Sequence, residues 1–241
     1  LIPLSLSEIA LAIGAVTVGA TLQGSIGFGL GLVAVPLLVL IDPRLIPAPL
    51  LMASLALTLL LTQREWRSVR FRDLGWAIGG RMVGIAAAVS ALLLIAPHRI
   101  GLFFGVLILL MVVLSASGLH VPPTPRTLLG AGMLSGFSGT AVSIGGPPMA
   151  LVLQRESGPR LRGTLSAFFV AGIAMSLVGL RIAGRLGRTE LLLAVALLPG
   201  ILAGYLISRH TARLLDRGYT RQAVLAVSAA AGAAVIVKQF L

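Results

Sequence analysis

Ten apolar runs, at roughly 8–22, 26–41, 45–62, 74–96, 100–118, 127–137, 141–154, 163–180, 190–208 and 222–238, fill most of the 241 residues. Several approach the ~20 residues that a helix needs to cross a bilayer. Only 11% of the chain is charged, against about 25% in soluble domains, and the mean hydropathy is +1.04. Lipid is the solvent for such a sequence, and in lipid every backbone amide must find its partner within the protein. The expected fold is an all-α polytopic transmembrane bundle folding as one unit.

Two stretches run against that demand. Leu22-Gln23-Gly24-Ser25-Ile26-Gly27-Phe28-Gly29 and Leu134-Ser135-Gly136-Phe137-Ser138-Gly139-Thr140 interrupt apolar runs with glycine and hydroxyl residues. Helix-breaking sequence at membrane depth survives only where protein buries it or where it lines a wet cavity. One break in each half of a chain points to the central site of a transporter. Gly24, Gly27 and Pro36 recur as Gly136, Gly139 and Pro148, each 112 positions later. With Leu22/Leu134 and Ser54/Ser166 that makes five identities between 22 and 54, where roughly three arise by chance. The weight therefore rests on the shared order of breakers, apolar runs and basic loops. Beyond position 62 the register drifts, and Gly80 and Gly84 match Gly200 and Gly204 at an offset of 120. The predicted division is 1–121 and 122–241, two repeats within one membrane domain.

Loop charge decides between a hairpin and a single broken helix at each break. If each pair of short runs folds back, one face collects Arg64, Arg67, Arg70, Arg72, Arg126, Arg155, Arg160, Arg162, Arg209, Arg213, Arg217 and Arg221. The other keeps Arg44, Arg99, Arg181, Arg185, Arg188 and Lys238, a split of twelve to six against nine to nine for single crossings. The richer face is cytoplasmic by the positive-inside rule. A hairpin plus three spanning helices inverts the second repeat and places both termini outside the cytoplasm, in a multi-pass inner-membrane protein. Read this way, the net charge of +12 is topogenic, and no nucleic-acid partner is expected. The first apolar run has no basic n-region or cleavage site and reads as mature protein, with Ser7-Glu8 as a helix start.

The chemistry of the breaks suits an anion. Helix N-termini carry roughly half a positive charge, and glycine lets a ligand approach the backbone. The candidate ligands are Gln23, Gly24, Ser25, Gly27 and Gly29 from the first break. The second offers Ser135, Gly136, Ser138, Gly139, Thr140, Ser143, Gly145 and Gly146. The competing reading is that these glycines only permit close helix packing. That reading is preferred for Gly80, Gly84, Gly101, Gly105, Gly200 and Gly204. Arg81, about seven residues in from Asp73-Leu74, is the one charge well inside a span and joins the candidates as an anion attractor, with snorkelling as its alternative.

The missing groups narrow the chemistry further. The chain has no cysteine, so disulfides and thiolate chemistry are excluded. Glu8, Asp42, Glu65, Asp73, Glu156, Glu190 and Asp216 all fall at loops or segment ends, away from where a cation-coupled carrier needs a carboxylate. His98, His120 and His210 lie far apart, with no metal spacing and no hydrolytic constellation. Expelling an anion from an inside-negative cell is favourable by about 2.3 kcal/mol per charge per 100 mV, so an exporter needs no such acid. The expected partners are a small anionic substrate and membrane lipids, without a cofactor, and a homodimer is left open. An anion channel using the same tips is the first alternative, and a membrane enzyme acting on lipid phosphate the second.

At these residues the chain resembles the TauE/SafE family of membrane permeases, whose signature is a duplicated Gly-rich segment ending in proline. The first copy is Gly19 through Gly29 running to Pro36; the second is Gly132 through Gly139, Ile144-Gly145-Gly146 and Pro147-Pro148. The resemblance extends from about 8 to 238. It implies a transporter, and in particular export of sulfite, sulfoacetate or other small organosulfur anions.

Overall fold

A computed structural model describes residues 4–119 and 121–215. Those residues form nine α-helices and no strand: α1 Leu6–Ile26, α2 Leu30–Ile41, α3 Ala48–Arg64, α4 Phe71–Leu94, α5 Ile100–Ala116, α6 Pro125–Val142, α7 Gly146–Leu153, α8 Gly158–Ile182 and α9 Arg188–Leu215. Four stretches are long and apolar enough to cross a membrane: Leu6–Ile26, Leu74–Leu94, Gly158–Ile182 and Arg188–Ala212. The apolar run at 222–238 lies outside the described residues.

Local sequence sets the helix starts. Ser5 and Glu8 form a capping box at α1, two residues before the start expected at Ser7, and Thr124 and Thr127 form another at α6. Pro125 and Pro159 stand in first turns, where a missing N–H costs nothing. Leu6, Leu11, Leu94 and Ile182 are among the large apolar side chains turned outward, as lipid requires.

Both breaks fold the chain back on itself. Leu30 returns against Gly19 and Gly29 against Leu22, while Gly145 returns against Gly139. The arms are unequal: α1 and α6 are 21 and 18 residues, about 31 and 27 Å, whereas α2 and α7 have 12 and 8. The sequence pattern had placed two short arms around each glycine-rich stretch. Instead α1 runs through Gln23-Gly24-Ser25, and α6 runs through the whole of Leu134–Thr140. In an apolar medium an opened helix hydrogen bond finds no water, so glycine alone does not break the helix. The first break falls at the end of its glycine-rich stretch, at Gly27–Gly29, and the second just beyond its own, at Ser143–Gly145.

The glycines serve helix contact. α6 runs parallel to α4, with Gly132 on the Ala77 carbonyl, Gly136 on that of Arg81, and Gly80 and Gly84 on those of Leu129 and Met133. α1 runs parallel to α9, where Gly200 meets Ile13 and Val16, Gly204 meets Thr17 and Ala20, and Gly24 meets Ser208. The first helix of each half thus lies against the fourth helix of the other half. α3 and α8 pack between these pairs.

Arg70 bonds Glu156 at 2.6 Å and ties the α3–α4 turn to the α7–α8 turn, defining an arginine-rich end of the bundle. At the other end Arg185 donates to the Leu92 carbonyl at 2.8 Å. α1 finishes at the arginine-rich end and α6 starts there beside α4, so the two hairpins enter from opposite ends. A side chain at Gly84 or Gly132 meets backbone rather than a movable group. Gly84→Val and Gly132→Val are each expected to cost about 1–3 kcal/mol, read as a lower melting temperature in detergent.

Candidate functional site

α1 ends because Gly27 and Gly29 take left-handed conformations, with φ of 97° and 125°. α6 ends at Ser143, a non-glycine residue at φ 59°, a conformation that costs an L-residue roughly 1–2 kcal/mol. Hydrogen bonds hold it there. The Ile144 N–H donates to the Ser138 carbonyl at 3.3 Å, and the Ser143 hydroxyl donates to the Pro47 carbonyl at 3.1 Å.

The two breaks meet. A Cβ on Gly31 would strike the Ser143 carbonyl, and one on Gly146 would lie 2.8 Å from the Phe28 Cβ. Beside this contact is a cavity with a water-accessible volume of about 40 Å³. At ~10–15 Å³ per water it holds a few waters or one small oxyanion. α1 supplies Gln23, and the first break with α2 supplies Gly29, Leu30, Gly31 and Leu32. The second hairpin supplies Gly139, Ser143, Ile144, Gly145, Gly146 and Pro147, and the spanning helices add Leu50, Leu51, Ser54, Arg81, Phe169 and Ile173.

Arg81 dominates the electrostatics. It stands ten residues into α4, about 15 Å from the helix start, and is 1% exposed. No carboxylate pairs with it among the described residues. Its Nη1 donates to the Ser135 hydroxyl at 2.9 Å, its Nε has no partner, and its Cζ lies 4.7 Å from the Phe168 ring centroid. Gly172 leaves the space its guanidinium fills, since a Cβ there would fall on Nε. The Ser135 hydroxyl in turn donates a hydrogen bond to the Gly145 carbonyl at 2.6 Å, so the cation is tied to the second break. Gln23 is 6% exposed, and its side-chain amide makes no hydrogen bond among the described residues.

Backbone donors come unequally from the two breaks. The first turn of α2 carries the amides of Leu30, Gly31 and Leu32, which have no partner within the helix. The first turn of α7 contains Pro147 and Pro148, which have no N–H. Donors, Arg81, Gln23 and the α2 amides, therefore share the cavity lining with an apolar wall of Leu50, Leu51, Phe169 and Ile173.

Of the residues singled out from sequence, Gln23, Gly29, Arg81, Gly139, Ser143, Gly145 and Gly146 line the cavity. Ser135 and Gly136 stand behind it, on the side chain and the backbone of Arg81. The others are occupied elsewhere. The Ser25 hydroxyl meets Thr211 at 2.8 Å on α9, and Thr140 meets Ser176 at 2.8 Å on α8. Ser138 donates to the Leu134 and Ile144 carbonyls at 2.8 Å, Gly24 packs on Ser208, and Gly27 packs on Arg162. The apolar wall escaped sequence reasoning because leucine and phenylalanine carry no signal in so apolar a chain. Gly31 had one, as the third glycine of Gly27-Phe28-Gly29-Leu30-Gly31.

A bundle of apolar spans around a buried, cation-lined cavity between two chain reversals belongs to the integral membrane transporters. The chain is a member of the sulfite exporter TauE/SafE family, whose model matches residues 11–235, and membership makes it a transporter of the sulfite or anion type. No curated protein and no solved structure matches it.

Proposed function

We propose that the chain exports a small oxyanion, such as sulfite, sulfoacetate or a related organosulfur anion, across a bacterial inner membrane by alternating access. The carrying observation is Arg81, a fully buried guanidinium that lines the cavity with no acidic partner among the described residues and a free Nε. Burying an ion costs several kcal/mol unless another charge and hydrogen bonds compensate it, and the ligand is the natural source of both. Residues 1–121 and 122–241 act as two inverted repeats, which rock or slide against each other around the joined breaks. The arginine-rich end faces the cytoplasm, with both termini on the other side.

Flux of sulfite and of methanesulfonate from proteoliposomes tests the reading. Counter-anion on the far side should accelerate release from a carrier and leave a channel unchanged, so absent trans-stimulation favours the channel. Ser135→Ala is expected to lower flux about tenfold while leaving the fold intact, because it removes one hydrogen bond to a charged group. Retained flux in a folded Ser135→Ala protein would show that Arg81 needs no support from the second break.

A further inference from the structure

The cavity lining sets a charge as well as a place. Among the described residues Arg81 is the one charged or titratable side chain in it, and the other polar side chains, Gln23, Ser54 and Ser143, are neutral. Asp42, Glu65 and Glu156 are paired with arginines towards the two ends of the bundle. The backbone adds little net charge. Each break sets a helix C-terminus beside a helix N-terminus, α1 beside α2 and α6 beside α7, and the half-charges at such ends are opposite in sign. What remains is one positive charge beside a space of about 40 Å³.

Two groups in this lining are uncommitted. The first is the guanidinium. Its Nε is unpartnered, and its Nη2 makes no hydrogen bond among the described residues. Nη2 lies beside Gly139 of the cavity lining, where a Cβ would come within 3.3 Å of it. The second is Gln23. The hydroxyls of Ser54 and Ser143 donate to the Leu51 and Pro47 carbonyls at 2.9 and 3.1 Å. The Gln23 amide, buried in the same lining, makes no hydrogen bond among the described residues. An amide offers N–H donors at one end and a carbonyl acceptor at the other, and it brings no charge. It suits a bare oxygen by donating and an acidic O–H by accepting.

We propose that the central cavity selects oxyanions carrying a single negative charge, and that the neutral side chain of Gln23 sets this limit. One negative charge balances Arg81. A second would be buried without a counter-charge, which is costly wherever water is excluded. A cation at position 23 would supply that counter-charge, and an amide does not. Size does not make the distinction, because sulfate and methanesulfonate are tetrahedral ions of similar volume. The limit rests on the reading that the cavity holds the transported anion. It narrows the anions named above to bisulfite and the monosulfonates; sulfoacetate, doubly charged at neutral pH, falls outside them.

Calorimetric titration of the full chain in detergent tests the limit with ions of one shape. Methanesulfonate should bind, and sulfate at least about thirtyfold more weakly, the cost of a buried charge left unpaired. Methylphosphonate has the shape of methanesulfonate but loses a second proton near neutral pH. Raising the pH from about one unit below that ionisation to about one unit above it leaves about a tenth of the ion singly charged, so its apparent affinity should fall about tenfold. Methanesulfonate keeps one charge throughout and should bind equally at both pH values. Gln23→Lys should bind sulfate at least as tightly as methanesulfonate and lose the fall with methylphosphonate. Should that variant fail to fold, the wild-type series decides alone. Sulfate as tight as methanesulfonate in the wild type, or a methylphosphonate affinity indifferent to pH, would overturn the limit. A folded Gln23→Lys protein that still rejects sulfate would overturn the role of residue 23. Methanesulfonate that does not bind, or binds equally well to Arg81→Met, would remove the central reading and the limit with it.

Discussion

Arg81→Met is expected to abolish anion flux and to raise the melting temperature of the ligand-free protein. The two effects have one cause. The guanidinium is 1% exposed and its compensation is partial: one hydrogen bond to Ser135 at 2.9 Å and two aromatic faces, Phe168 and Phe169, at 4.7 and 5.8 Å. A neutral side chain of similar length removes the uncompensated charge, and such replacements stabilise by about 1–4 kcal/mol. That corresponds to a rise of at least about 2 °C for a chain of this size. The anion, in turn, loses the one cationic partner that the described residues give it in the cavity. Truncating one side of a buried charge pair costs about 2–5 kcal/mol, at least thirtyfold in affinity. Arg81→Lys keeps the charge without the planar fork, and should restore flux only in part. Melting curves with and without methanesulfonate, paired with proteoliposome flux, read both signs. A lower melting temperature in Arg81→Met would make the charge structural, and wild-type flux would remove it from the site.

Arg81 was legible in the sequence because a lone charge within an apolar run is rare and costly. Arg162 was not, although it is buried nearly as deeply. It follows Arg155 and Arg160 in a segment that reads as a basic loop, and only the start of α8 at Gly158 carries it inside. The apolar runs located the spanning helices well, but the first glycine-rich stretch holds its break only at its end and the second stops short of its own. Sequence reports that glycine permits a break or a close contact, and not which of the two the neighbouring helix enforces. At Gly136 the neighbour is the Arg81 backbone, so contact prevails and α6 continues. The register suffered likewise. The left-handed residues that end α1 and α6, Gly27 and Ser143, lie 116 positions apart. The identities at 112 pair Pro36, inside α2, with Pro148, in the first turn of α7. A glycine and a serine that share a conformation leave no identity to count. Hydroxyl ligands fared worst, because sequence gives the residue type but not its direction around the helix. Ser25, Ser138 and Thr140 turned out to face α9, their own hairpin and α8.

Gly31→Ala should damage transport far more than it damages stability. Gly31 lies in the first turn of α2, and an added Cβ would run into the Ser143 carbonyl oxygen and come within 3.1 Å of the Ile144 Cα. Both obstacles are backbone, so no rotamer change relieves them and the two breaks must part. Overpacking of this kind costs about 1–3 kcal/mol of stability. The functional loss should be larger. Gln23 and Gly29 stand on one side of the contact and Ser143, Gly145 and Gly146 on the other, so separating the breaks misaligns every donor at once. Misplacement by about 1 Å can cost on the order of a hundredfold, and flux should fall by about that factor. Graded controls follow from the same geometry. Gly146→Ala meets the Phe28 Cβ at 2.8 Å, a milder approach than the one at Gly31, so its effect should be smaller. Gly79→Ala, with nothing within 4 Å, should transport normally and gain up to about 1 kcal/mol from helix propensity. Wild-type flux in a folded Gly31→Ala protein would mean that the two breaks never close on one another at a step that limits transport.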